Sequence, residues 1–229
     1  LVSTATVATI DVQLSDAGNI TVAVTGVVNL ANVIAADGSI TILAGGAVTA
    51  TNVRTQGTSD SNDVTITTYD ASVPVSANSH ITLVDLQVGQ RGDVTLTAQG
   101  QFTQGSGLLR ADELSITARG GLTLRTSVNS LSVRTEAAGN VTVTQSGGVR
   151  LTLALVVVSN GSLTVTADGS VELADVTLKT DSDANDLTID TTTAAAGSGD
   201  ILVRRAVVGD FIENTNGTLS RLDGSVSRF

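Results

Sequence analysis

The chain has 229 residues, 41% of them apolar, with a net charge of −10, a single histidine and no cysteine. Disulfides and thiolate metal sites are therefore excluded, and so acidic a surface argues against nucleic acid or an anionic membrane as partner. Aromatic residues make up only 2%, too few for an ordinary globular core, in which rings bury large areas, so a thin core of Val, Leu, Ile and Ala is expected.

The chain begins in mid-pattern at Leu1-Val2-Ser3-Thr4, as a mature piece or an excised segment of something longer would. A unit of turn, aliphatic, Thr or Ser, aliphatic then recurs. It stands at Gly18-Asn19-Ile20-Thr21-Val22, Gly38-Ser39-Ile40-Thr41-Ile42, Asn62-Asp63-Val64-Thr65-Ile66 and Ser79-His80-Ile81-Thr82-Leu83. It returns at Gly92-Asp93-Val94-Thr95-Leu96, Asp112-Glu113-Leu114-Ser115-Ile116, Asn129-Ser130-Leu131-Ser132-Val133 and Gly139-Asn140-Val141-Thr142-Val143. Gly161-Ser162-Leu163-Thr164-Val165 and Asn185-Asp186-Leu187-Thr188-Ile189 follow, with weaker copies at Gly199-Asp200-Ile201 and Gly217-Thr218-Leu219. Val, Ile and Thr favour strands, and Gly, Asn and Asp favour tight turns. Self-similarity at about 18–20 residues is the mark of a solenoid.

Within the regular stretches a second alternating strand follows, as at Val28-Asn29-Leu30, Val48-Thr49-Ala50 and Val171-Glu172-Leu173. A corner comes next, at Ala31-Asn32-Val33, Thr51-Asn52-Val53 and Ala174-Asp175-Val176. Three short strands and three corners per coil predict an all-β, parallel β-helix of about eleven coils, because a coil repeats the same residue types at the same corner about every 4.8 Å. The coils are expected to fill residues 1–207, and 208–229 to form a degraded last coil or a cap of the same domain. Two stretches, Thr55 to Asp63 and Thr180 to Asp186, should bulge before the first strand of a coil, and Ala71 to Asn78 around Pro74 is irregular.

The runs GNITVAVTG (18–26), GDVTLTAQG (92–100), GNVTVTQSG (139–147) and GSLTVTADG (161–169) resemble the repeat region of filamentous-haemagglutinin-like exoproteins. The resemblance covers the chain from about Ile20 to about Val203. It implies a right-handed parallel β-helix, exported to the bacterial cell surface and used in adhesion. The Asn-Pro-Asn motifs of that family's secretion domain do not occur, so the likeness is to the shaft and not to the export module.

Candidate sites compete with turn chemistry. Asp181, Asp183, Asn185 and Asp186 have the alternating oxygen spacing of a calcium loop, without the following glycine and distal glutamate of an EF-hand. Arg91-Gly92-Asp93 resembles the integrin-binding tripeptide, but glycine–aspartate corners recur here without the arginine. His80 sits at a turn with no acid–base partner beside it in the pattern. The outward position after the first aliphatic is Thr or Ser almost throughout, a ladder that resembles ice-binding proteins, or simply good exposed strand residues. Sequons at Asn19, Asn140, Asn160 and Asn216 are products of the repeat itself.

These features predict a non-catalytic shaft of a secreted or surface-bound bacterial protein. A self-assembling extracellular filament and an ice-binding or calcium-linked glycan-binding solenoid are the other readings. The partners expected are further coils of the parent chain or neighbouring copies end to end, and a host or environmental surface ligand. No apolar run reaches membrane-spanning length.

Overall fold

The structure, a computed structural model, describes residues 2–3, 7–69, 79–180, 185–191, 199–208 and 211–214, with side chains from residue 9 to 208 within those ranges. Every strand pairing among them is parallel, and the strands stack as a β-solenoid of about 8 turns. The chain divides into two compact units, Leu1–Arg119 and Gly120–Phe229.

In the first unit one sheet is built from Val2–Ser3, Ile20–Val24, Ile40–Ala44, Val64–Thr68, Val94–Thr97 and Glu113–Ala118, in that order. The other contains Val7–Ala17, Val27–Asp37, Val48–Thr55 and Ile81–Gln87, and both Phe102–Gln104 and Leu109–Arg110 pair with the last of these. Each coil thus crosses from one sheet to the other. Strict alternation in the first sheet turns two columns inward, Ile20–Ile40–Val64–Val94–Leu114 and Val22–Ile42–Ile66–Leu96–Ile116. No member of either column is more than 6% exposed. Burying such a side chain contributes roughly 1.5–3 kcal/mol, while ordering each residue's backbone costs about 1–2 kcal/mol. A coil on its own therefore loses, and only the ladder with its neighbours makes it stable.

The strands of the second sheet bend. In Val27–Asp37 the buried residues are Val28 and Leu30, then Val33 and Ala35, so the alternation slips by one at Ala31-Asn32. The same slip separates Ala50 from Val53 and Leu83 from Leu86. The anticipated corners Ala31-Asn32-Val33 and Thr51-Asn52-Val53 are these bends. The second and third strands of a coil consequently run on as one bent strand.

In the second unit one sheet orders Leu122–Ser127, Val141–Gln145, Leu163–Ala167, Asp186–Asp190 and Phe211–Asn214. The other orders Ser130–Thr135, Leu151–Val158, the pair Val171–Leu173 and Val176–Leu178, and the pair Ile201–Val203 and Ala206–Val207. The break between Leu173 and Val176 is the corner at Ala174-Asp175. Backbone pairing persists to Asn214, inside the stretch expected to degrade.

Eleven coils were too many, for a definite reason. The turn–aliphatic–Thr unit opens strands in both sheets. Val64 and Ile81 belong to opposite sheets of the first unit. In the second unit Leu131 and Val141 do as well, and so do Leu187 and Ile201. Several coils therefore hold two copies of the motif. Coil length also exceeds 18–20 in places. Ile20 pairs with Ile40, twenty residues on, but Ile40 pairs with Val64 and Val64 with Val94, across twenty-four and thirty.

Candidate functional site: the corner columns

The polar side chains with the most developed geometry stand at the corners, just before strands. Asn19 accepts the Ser39 N–H on Oδ1 at 2.9 Å, and Asp63 accepts the Asp93 N–H at 3.0 Å. Asp93 in turn accepts the Glu113 N–H at 3.1 Å, and His80 accepts the Gln101 N–H on Nδ1 at 2.9 Å. In the second unit Asn140 accepts from Ser162 at 3.0 Å, and Ser162 Oγ accepts from Asp186 at 3.0 Å. In each case a short side chain takes up a backbone donor of the next coil that the turn would otherwise leave without a strand partner. Asp168 works in the opposite direction, and both its oxygens, each at 2.9 Å, accept the N–H groups of Gly147 and Gly148.

This geometry locates the sequence candidates. Arg91 is exposed, but Gly92 is buried against the Asn62 carbonyl, where a Cβ would come within 2.5 Å. Asp93 is a rung of the corner column on both its N–H and its Oδ1. The loop that carries this tripeptide stacks on the Thr55 to Asp63 bulge: Thr55 Oγ1 accepts the Gly89 N–H at 3.3 Å and donates to the Asn62 carbonyl at 2.9 Å. Two successive coils are therefore enlarged at one corner, the second by Gln87 to Asp93. Asp60, Asp63 and Asp112 lie near enough to Asp93 to oppose its ionisation. Burial is the larger reason its carboxyl is pushed above the ordinary 3.8, and the Glu113 N–H only partly offsets it.

Of the calcium candidates, Asp181 and Asp183 lie outside the described residues. Asn185 is buried and donates its amide to the Thr180 carbonyl at 2.8 Å and to Asn160 Oδ1 at 3.3 Å. Asp186 is half-buried beside it. Among the described residues no group of three or more His, Asp or Glu side chains is arranged to hold a metal ion.

The threonine ladder is not one face. Thr21, Thr41, Thr65, Thr95 and Ser115 are register partners in one sheet of the first unit, whereas Thr82 stands in the other beside Thr49 and Thr103. In the second unit Thr123, Thr142, Thr164 and Thr188 share a sheet, and Ser132 belongs to its opposite.

Two polar ladders escaped the reading of the sequence. In the first unit Asp11, Asn32, Asn52 and Asp85 line the bend. Asn32 donates to Asp11 and Asn52 to Asn32, each at 3.1 Å, while Arg54 bridges Asn52 and Asp85 at 2.8 and 2.6 Å. In the second unit the nearly buried Glu172 receives Arg150 Nη2 at 2.7 Å and Arg204 Nε. The Arg204 bond, with the charges of both guanidiniums, holds its carboxyl below the ordinary 4.5 against the cost of burial. Arg205 pairs with Asp175 at the adjoining corner. The available signal was the spacing of Arg150, Glu172 and Arg204, each about one coil or one enlarged coil apart.

Compared with protein families, with characterised proteins and with solved structures, the chain matches none. Among the described residues no helix is long and apolar enough to cross a membrane.

Proposed function

We propose that the chain is a non-catalytic structural shaft of a secreted or cell-surface bacterial protein, similar to the repeat region of filamentous-haemagglutinin-like exoproteins. The observation that supports this reading most is the use made of the corner side chains. Asn19, Asp63, His80, Asp93, Asn140 and Asp168 are the residues a ligand or a reaction would recruit, and each holds a backbone donor of an adjacent coil. Such a chain spends its polar chemistry on stacking and so acts as a spacer. Its partners are further coils of its parent protein and the adhesive regions those coils present to a host or environmental surface.

The test is to place the chain between an outer-membrane anchor and a small binding domain on bacteria, and to compare it with a flexible linker of equal length. A shaft lifts the binding domain clear of the surface polysaccharide, so ligand-coated beads are captured. Equal capture by the flexible linker counts against the shaft. Bead capture by the chain without the added domain would make it the adhesive element itself.

A further inference from the structure

One of the corner acceptors differs from the rest in its chemistry. Asn19, Asp63, His80, Asp93, Asn140 and Ser162 each stand just before a strand, and each takes the N–H of the residue at the same register on the next coil. A backbone nitrogen can only donate, so the atom it meets must offer a lone pair. At His80 that atom is Nδ1, 2.9 Å from the Gln101 nitrogen. The bond therefore fixes the tautomer: Nδ1 is bare, and the proton of the neutral ring sits on Nε2. The ring comes this close because residue 100 is glycine. A Cβ there would lie 2.8 Å from His80 Nδ1 and 3.1 Å from the Ser79 carbonyl oxygen.

We propose that His80 is a pH-sensitive latch between two coils of the first unit, closed when its imidazole is neutral and released when the ring is protonated. Protonation puts a hydrogen on Nδ1, so that atom can no longer accept from Gln101, and two N–H groups then oppose each other. The ring must turn away, which leaves the Gln101 N–H without its acceptor. The amide, hydroxyl and carboxyl oxygens at the other corners keep a lone pair whether or not they are protonated. Histidine is the side chain that ordinarily exchanges a proton between about pH 5 and about pH 8, and His80 is the single one in the chain. It is only half-buried, so solvent protons reach it. The coil beneath meets it through the Val48 N–H, which donates to the His80 carbonyl at 2.8 Å. The coil above brings Gln99, Gly100 and Gln101, and the strand Val64–Thr68 brings the Thr68 hydroxyl, on the Ser79 carbonyl at 2.8 Å, with Tyr69 after it. Of the charged groups on these elements, Arg119 places its N–H on the Gly100 carbonyl at 3.0 Å, and Asp85 and Arg54 pair with each other at the bend. Asp70 lies outside the described residues. The flanking bonds, Gly100 N–H to Ser79 O and Ile81 N–H to Gln101 O, each 3.0 Å, do not involve the ring. Release therefore loosens this corner and leaves the strand ladder in place.

Nuclear magnetic resonance on the intact folded chain tests this, and a single histidine makes the ring signals unambiguous. At about pH 8, where histidine is ordinarily neutral, the ring should carry its proton on Nε2 and none on Nδ1. A proton on Nδ1 there overturns the proposal. Amide exchange at Gln101, divided at each pH by the rate of an unstructured amide, should lose protection roughly tenfold as the ring takes up its proton, about the size of one lost hydrogen bond. Gly100 and Ile81 should keep theirs. His80→Asn places at this corner the same acceptor that Asn19 and Asn140 supply at theirs, and in that variant Gln101 should stay protected over the same pH range. Protection at Gln101 that does not change through the ring's titration overturns the latch, and so does an equal loss in His80→Asn. Should that variant not fold, the wild-type titration decides by itself.

Discussion

Asp93 donates its backbone N–H to Oδ1 of Asp63 across one coil step, at 3.0 Å. The same residue offers its own Oδ1 to Glu113 on the next coil. One residue thereby joins three coils of the first unit through its backbone N–H and its carboxylate, and the charge of that carboxylate has a cost as well as a use. Folding raises the Asp93 pKa above 3.8, first through burial and then through the neighbouring carboxylates Asp63, Asp112 and Asp60. A group whose folded pKa is raised binds its proton more readily when folded, so at neutral pH its ionisation lowers stability. Asp93→Asn keeps the acceptor and removes the charge, as Asn19 and Asn140 do at their corners. It should raise the melting temperature at pH 7. That gain should shrink as pH falls through the raised pKa and be gone below 3.8. Thermal melts of both proteins across pH 3 to 8 check this, and a gain independent of pH would contradict it.

Glu172 should behave in the opposite way. Arg204 and Arg150 depress its carboxyl pKa, so the stability it contributes is present above the ordinary 4.5 and lost as pH falls through the depressed value. Glu172→Gln should lower the urea midpoint at neutral pH, and the difference from wild type should close on acidification. High salt should narrow it too, because the guanidiniums are half exposed.

Asp168 separates charge from shape. Its two oxygens meet two successive amides, and an amide side chain can accept on one oxygen only. Asp168→Asn and Asp168→Ala should both destabilise, with the alanine costing about 1–3 kcal/mol. Denaturant titration gives the ranking, and equal stability of all three would remove the carboxylate as a corner clasp.

Leu96 and Thr95 are adjacent in sequence and opposite in environment. Leu96 is 1% exposed and lies between Ile66 and Ile116 in its column, while Thr95 faces outward. Leu96→Ala should cost about 2–5 kcal/mol, and Leu96→Asp should leave no folded protein, since a lone carboxylate cannot be buried there. Thr95→Ser should shift the urea midpoint only slightly. Similar midpoints for Leu96→Ala and Thr95→Ser would reverse the two assignments.

The inward columns were legible because alternation is local: Val94 and Leu96 declare their face within a few residues, as do Val143, Val165 and Leu173, all of which are buried. The coil count was not. Ile81 and Val64 share one sequence signature, and only strand pairing reveals that they open opposite sheets of a single coil. The corner residues were legible as turn formers, but their partners were not, since Asn140 and Ser162 meet only once two coils are in register. The Arg150–Glu172–Arg204 cluster was hidden for the same reason: its members are separated in sequence by coils whose lengths differ. Inward threonines such as Thr55 and Thr68 read as ordinary strand residues, yet each is buried and bonds a backbone carbonyl at the coil's end, Asn62 O and Ser79 O.

Native-state amide exchange at Glu113 decides most directly whether the corner side chains bind coils together. With Asp93 intact, the Glu113 N–H should be protected, because it is held at 3.1 Å by a side chain of the preceding coil. In Asp93→Ala that one amide should exchange much faster, while Leu114, Ser115, Ile116 and Thr117, whose strand pairs in register with Val94–Thr97, keep their protection. Unchanged protection at Glu113 in Asp93→Ala would contradict a stacking role and return Asp93 to the list of residues that await a ligand.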